Sequence, residues 1–99
     1  MADKKLEEID CHQARTHLDP IRTHRRSQTP VDLRQAAEAL GYTIDVKRGK
    51  GSPWWARRKG GPPFAIPTGR SPVATGTTTN ILRILEKVYD DVCPRYFSR

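Results

Sequence analysis

Six cations and two tryptophans fall within thirteen residues: Lys47, Arg48, Lys50, Trp54, Trp55, Arg57, Arg58 and Lys59. Guanidinium and ammonium groups pair with phosphate, and an indole ring stacks on a base or sugar, so the combination suits a nucleic acid. Residues 46–70 carry seven basic side chains and no acidic one. Residues 1–45 sum to −1 and residues 71–99 to +1, so the whole excess of +7 sits in one quarter of the chain. A confined positive field points to a polyanion partner; the plainer alternative is a solvated basic face. Three readings of the paired tryptophans compete: a core that needs them, a surface that stacks, or the remnant of an active site. On a strand they point to opposite faces, so one is core and the other can stack or lie under arginine stems. The sequence leaves open which is which.

A second anion-binding candidate is the helix start Thr75-Gly76-Thr77-Thr78-Thr79-Asn80. Free backbone N–H groups and the positive end of the helix dipole attract phosphate, with Thr77 and Thr78 as the contacts. Ordinary capping explains the same residues, and the stretch lacks the lysine of a nucleotide-binding P-loop. The three histidines, His12, His17 and His24, lie near the N-terminus, where with Cys11 they make no zinc-ligand spacing. His24 is a weak catalytic candidate, able to act only by folding back over the basic turn. The pairs Glu7-Glu8 and Asp90-Asp91 read as solvated carboxylates, and no Ser–His–Asp set is present. Neither a cofactor nor a metal is expected.

Ninety-nine residues allow one small domain, and an apolar share of 35% with a mean hydropathy of −0.73 allows only a modest core. No apolar stretch is long enough for a membrane span, and MADKKLEEID has no apolar run after its lysines to make a secretory signal. Without an export signal Cys11 and Cys93 are expected as free thiols in a cytoplasmic protein.

The elements that must position the basic segment follow from periodicity. Residues 1–29 read as an arm: a short helix with Leu6, Ile9 and Gln13 on one side, broken at Asp19-Pro20, then a basic linker. Thr29-Pro30 starts a helix as N-cap and first residue, Val31, Leu33, Ala36, Ala37 and Leu40 form its apolar face, and Gly41 stops it. Tyr42, Ile44 and Val46 alternate as in a half-buried strand. A second strand begins at Trp54, at a sheet edge or after a bulge because Pro53 cannot donate to a ladder. Gly60-Gly61-Pro62-Pro63 is a turn, and Phe64-Ala65-Ile66 a third strand. The last helix has Ile81, Leu82, Ile84, Leu85 and Val88 as its stripe and a threonine of 77–79 as its cap. The fold class is therefore α+β, in the order α-β-β-β-α: a three-stranded antiparallel sheet with two helices on one face, plus the arm. The domain spans 30–93 and a tail covers 94–99.

That order is the plan of double-stranded-RNA-binding domains, and residues 30–90 resemble the HicA family, the toxins of HicA–HicB toxin–antitoxin pairs. Leu40-Gly41-Tyr42 matches the family's helix end, and KGSP at 50–53 matches three positions of its KGSH turn. Ile66-Pro67 matches the third-strand end, and Gly76-Thr77 with Ile81-Leu82-Arg83-Ile84-Leu85 the last helix. The resemblance implies RNA as the ligand and an acidic antitoxin-like partner. It does not carry the family's nuclease activity, because Pro53 stands where the catalytic histidine is found, and proline moves no proton. A histidine after the third strand is also missing, with Thr68-Gly69-Arg70 in its place.

The resulting expectation is a non-catalytic nucleic-acid-binding protein, RNA foremost, on a HicA-like fold. The alternatives are a HicA-type endoribonuclease toxin with its histidine supplied from elsewhere, and a basic module docking an acidic protein.

Overall fold

The computed structural model describes residues 9–46 and 51–93. Its elements run α1 (Cys11–Thr23), one 3-10 turn (Arg25–Ser27), α2 (Pro30–Ala39), β1 (Thr43–Val46), β2 (Trp54–Arg58), β3 (Gly61–Ile66) and α3 (Thr75–Val92). The chain is α+β, with helices packed against a three-stranded antiparallel sheet, as the periodicity predicts.

The segment expected as an arm is, from Ile9 onward, part of the core. Ala14, Leu18 and Ile21 recur at helical spacing, and all three are buried. Asp10 caps α1 by accepting from the Gln13 amide at 3.0 Å. The helix also runs through Pro20 instead of breaking there. Proline removes one hydrogen bond, to the carbonyl of Thr16, which lies on the exposed side of α1 within reach of water. Burial of Ile21 and side-chain bonds around the last turn offset that loss. The buried Gln28 amide donates to the Pro20 and His24 carbonyls at 3.2 and 2.9 Å, and the Thr23 hydroxyl donates to the Asp19 carbonyl at 3.0 Å.

Both ends of α2 lie where their residues predict. Thr29 and Asp32 form a reciprocal capping box with bonds of 2.9 and 3.2 Å, and Pro30 takes the first helical position. Gly41 ends the helix with a φ of 90°, while the Gly41 amide donates to Glu38 and the Tyr42 amide to Ala37. This is the Schellman arrangement, which needs a left-handed residue at that position. Leu33, Ala36, Ala37 and Leu40 are buried, but Val31, counted in the apolar face, is exposed.

The sheet order is β1-β2-β3, so β2 is the central strand and not an edge. Pro53 does not conflict with this, since it precedes the first paired residue, Trp54. Strand β3 begins at Gly61 and includes Pro62 and Pro63, which the sequence reading assigned to a turn. Prolines are tolerated there because β3 is an edge strand with one side unpaired. A register irregularity between Ala56 and Arg58 accommodates the hairpin end. Cross-strand pairing puts Ile44, Ala56 and Phe64 in one row and Val46, Trp54 and Ile66 in the next, on the face toward the helices.

Helix α3 starts at Thr75 with Ala74 as N-cap, ahead of the threonines expected to cap it. Ile81, Leu82, Leu85, Val88 and Tyr89 fill its buried stripe. Its C-terminal end meets the start of α1, where Cys11 and Cys93 form a disulfide with a Cα–Cα distance of 5.9 Å. The expectation of free thiols is therefore corrected. It rested on the absence of an export signal, whereas the bond depends on how α1 packs along α3.

Candidate nucleic-acid interface

Alternation along β2 separates the two tryptophans. Trp54 lies on the helix side, half-buried against the core, with the Arg34 guanidinium of α2 5.2 Å from its ring centre. Trp55 lies on the opposite face, which no described helix covers, in a row with Asp45 and Ala65, and the Arg57 guanidinium stands 5.5 Å from its ring centre. Thr43, Asp45 and Arg57 on this face are exposed. Trp55, partly exposed with the Arg57 guanidinium over its ring, brings an aromatic group and a cation together on this face, a pairing that suits stacking beside a phosphate. Asp45 brings a carboxylate to the same row and lowers the local potential. It was missed as a site residue, although the alternation of Ile44 and Val46 already placed it on the polar side of its strand.

The other expected contacts divide. Lys59 is exposed at the tip of the β2–β3 hairpin. Lys47, Arg48 and Lys50 belong to the β1–β2 connection and lie outside the described residues. In the chain the cations thus flank both ends of β2, five residues long or roughly 16 Å, with Trp55 and Arg57 between them.

Arg58 does not join them. It lies on the helix side, with its Nε buried and without a hydrogen-bond partner. Its stem packs on Gly61, where an added Cβ would come within 2.8 Å of Arg58 Cγ and 2.9 Å of Tyr42 Oη. The head group lies beside Gly41, against the negative end of the α2 dipole. Arg58 is thus a structural cation. It also faces Tyr42, whose hydroxyl donates to the Pro62 carbonyl at 2.9 Å. Burial pushes the Tyr42 phenol above its ordinary pKa, and the Arg58 charge only partly opposes this.

At the start of α3, Thr77 is partly exposed in the first turn, but Thr78 is fully buried, and its Oγ1 has no hydrogen-bond partner. Thr78 is therefore withdrawn as a phosphate contact. The helix begins earlier than expected, so position 78 falls on the core stripe with Ile81, Leu82 and Leu85.

His24 is exposed at the C-cap of α1, far along the chain from the basic turn, and its Nδ1 meets the Thr23 hydroxyl at 2.9 Å. His12 is exposed, and His17 borders a shallow depression with Gln35 and Glu38. Among the described residues no group of three His, Cys, Asp or Glu side chains could hold a metal ion, and no helix is long and apolar enough to cross a membrane.

Comparison with protein-family models, with curated proteins and with solved structures finds no match. The likeness to HicA proteins therefore stands on short motifs and element order alone.

Proposed function

We propose that the protein binds nucleic acid, RNA foremost, without cleaving it, through the open face of its sheet. The observation that carries this reading is Trp55 beside Arg57 on the sheet face that no described helix covers, in a strand that Lys47, Arg48 and Lys50 precede and Lys59 follows in the sequence. Binding led by charge and shape needs few base-reading residues, and double-stranded RNA is recognised largely in this way. Pro53 in the place of the HicA histidine supports binding without cleavage. On a HicA-like scaffold the same basic face also suits an acidic antitoxin-like protein. Such a binder works in the cytoplasm, where a disulfide such as Cys11–Cys93 is uncommon; trapping the thiols at cell lysis reads its compartment directly.

Fluorescence titration of a Trp54→Phe variant, in which Trp55 is the remaining reporter, tests the reading. Saturable quenching by short double-stranded RNA is expected, weakening steeply between low and moderate salt. Arg57→Ala should reduce affinity about tenfold and lower the salt dependence by the equivalent of about one phosphate contact. Absence of any response to RNA or DNA at low salt would overturn the proposal and leave the basic face to a protein partner.

A further inference from the structure

A second basic concavity lies away from the sheet, where the end of α1, the 3-10 turn and the start of α3 meet. It measures about 440 Å³ and is lined by Arg22, His24, Arg25 and Arg26, with Thr75 opposite them and no carboxylate in its wall. That volume lies within the range of about 300–1,000 Å³ typical of small-molecule sites.

The three arginines differ in what they have left to offer. Arg22 is committed, bonding Glu86 from Nε at 2.8 Å and Asp19 from Nη1 at 2.9 Å. Arg25 reaches Thr79 Oγ1 at 3.5 Å, which ties the turn to α3, and has no acidic partner among the described residues. Arg26 is exposed and has no acidic partner among the described residues. His24 Nδ1 stands 2.9 Å from the Thr23 hydroxyl, a contact whose donor depends on the histidine tautomer, so His24 is given no role in holding the anion.

The end of α1 would ordinarily repel an anion here through its free carbonyls. Two of the carbonyls at this end are occupied, which lessens that repulsion: Gln28 Nε2 donates to Pro20 and His24, and the Ser27 amide and hydroxyl also donate to His24. Across the pocket, Ala74 offers no side chain to the first-turn amides of the 18-residue α3, so its N–H groups add to the arginine charge.

We infer that this pocket binds the phosphate group of a nucleotide-sized phosphate ester, with Arg25 and Arg26 supplying charge and the α3 amides supplying hydrogen bonds. No residue of the sheet lines the pocket, so the site is additional to the face proposed for RNA.

Titration of the full chain with adenosine 5′-monophosphate, followed by amide NMR at low salt, tests this. Adenosine serves as the control without phosphate. Saturable shifts of the Thr75, Gly76 and Thr77 amides are expected with the nucleotide and not with adenosine. Arg26→Ala, an exposed substitution, should weaken that response about tenfold. Thr75→Pro removes one amide donor at a position where proline keeps the helix, and should weaken it severalfold. Equal shifts with adenosine and the nucleotide, or pocket amides that do not move at about 10 mM nucleotide, would overturn the inference. Quenching of Trp55 by double-stranded RNA should persist in Arg26→Ala, so failure of the pocket is distinguishable from failure of the RNA-binding reading.

Discussion

Replacing Trp54 and Trp55 one at a time separates two roles that adjacent, identical residues conceal. Trp54→Ala removes a half-buried ring from the helix side and should cost roughly 2 kcal/mol of stability, read by chemical denaturation, because a partly exposed site loses less than a sealed one. Trp55→Ala should cost less stability than Trp54→Ala, since its ring does not pack on the core, and should weaken RNA binding by about 1–3 kcal/mol, the worth of a stacked base. The reverse pattern would mean that the faces are assigned wrongly. Tyr42 makes a pH prediction. Its phenol is raised above 10.0 in the fold, so the neutral form is favoured there and the unfolded chain ionises first. The contribution is complete below about pH 10 and is lost as pH rises through the folded value. Stability of the wild type minus that of Tyr42→Phe should therefore shrink across that range. A constant difference would sink the assignment.

At the scale of elements, the meeting of α2 with the β2–β3 hairpin leaves no room at Gly61. Gly61→Ala would drive a Cβ against Arg58 Cγ and Tyr42 Oη, and should cost about 1–3 kcal/mol as those side chains shift. Thermal unfolding measures it, and a neutral result would mean that the hairpin end yields freely. In α3 the opposite sign is expected. Thr78→Val replaces a buried, unpaired hydroxyl with a methyl of similar shape and should stabilise by about 1 kcal/mol. Loss of stability would show that Thr78 Oγ1 has a partner after all. The caps of α2 were legible because Thr29, Asp32 and Gly41 act on their own neighbours. The start of α3 was not, because Ala74 carries no capping side chain.

For the whole molecule, the Cys11–Cys93 bond joins residues 82 positions apart and closes α1 onto the end of α3. Cys11→Ser should lower the unfolding free energy by about 2–4 kcal/mol, chiefly by freeing the unfolded chain. Reductant should bring the wild type to the same value, and an insensitive wild type would show that the bond does not form. The charge distribution also belongs to this scale. All of the +7 excess lies in residues 46–70, yet Arg58 turns inward and Asp45 joins Trp55 on the open face. The usable field is thus smaller than the sequence sum, while Arg25 and Arg26 form a second positive region from outside that segment.

The sequence by itself determined the α+β class, the order of three strands and the two flanking helices, the boundaries of α2 and the segment holding the excess charge. These follow from local periodicity, caps and composition, which act over a few residues. Only the tertiary structure decided that α1 belongs to the core, that β2 is central, that Trp54 faces inward and Trp55 outward, and that two distant cysteines meet. Each of those depends on contacts between segments remote in the chain. Such contacts are governed by which faces pack together, and a strand or a proline-containing helix does not state its own partner.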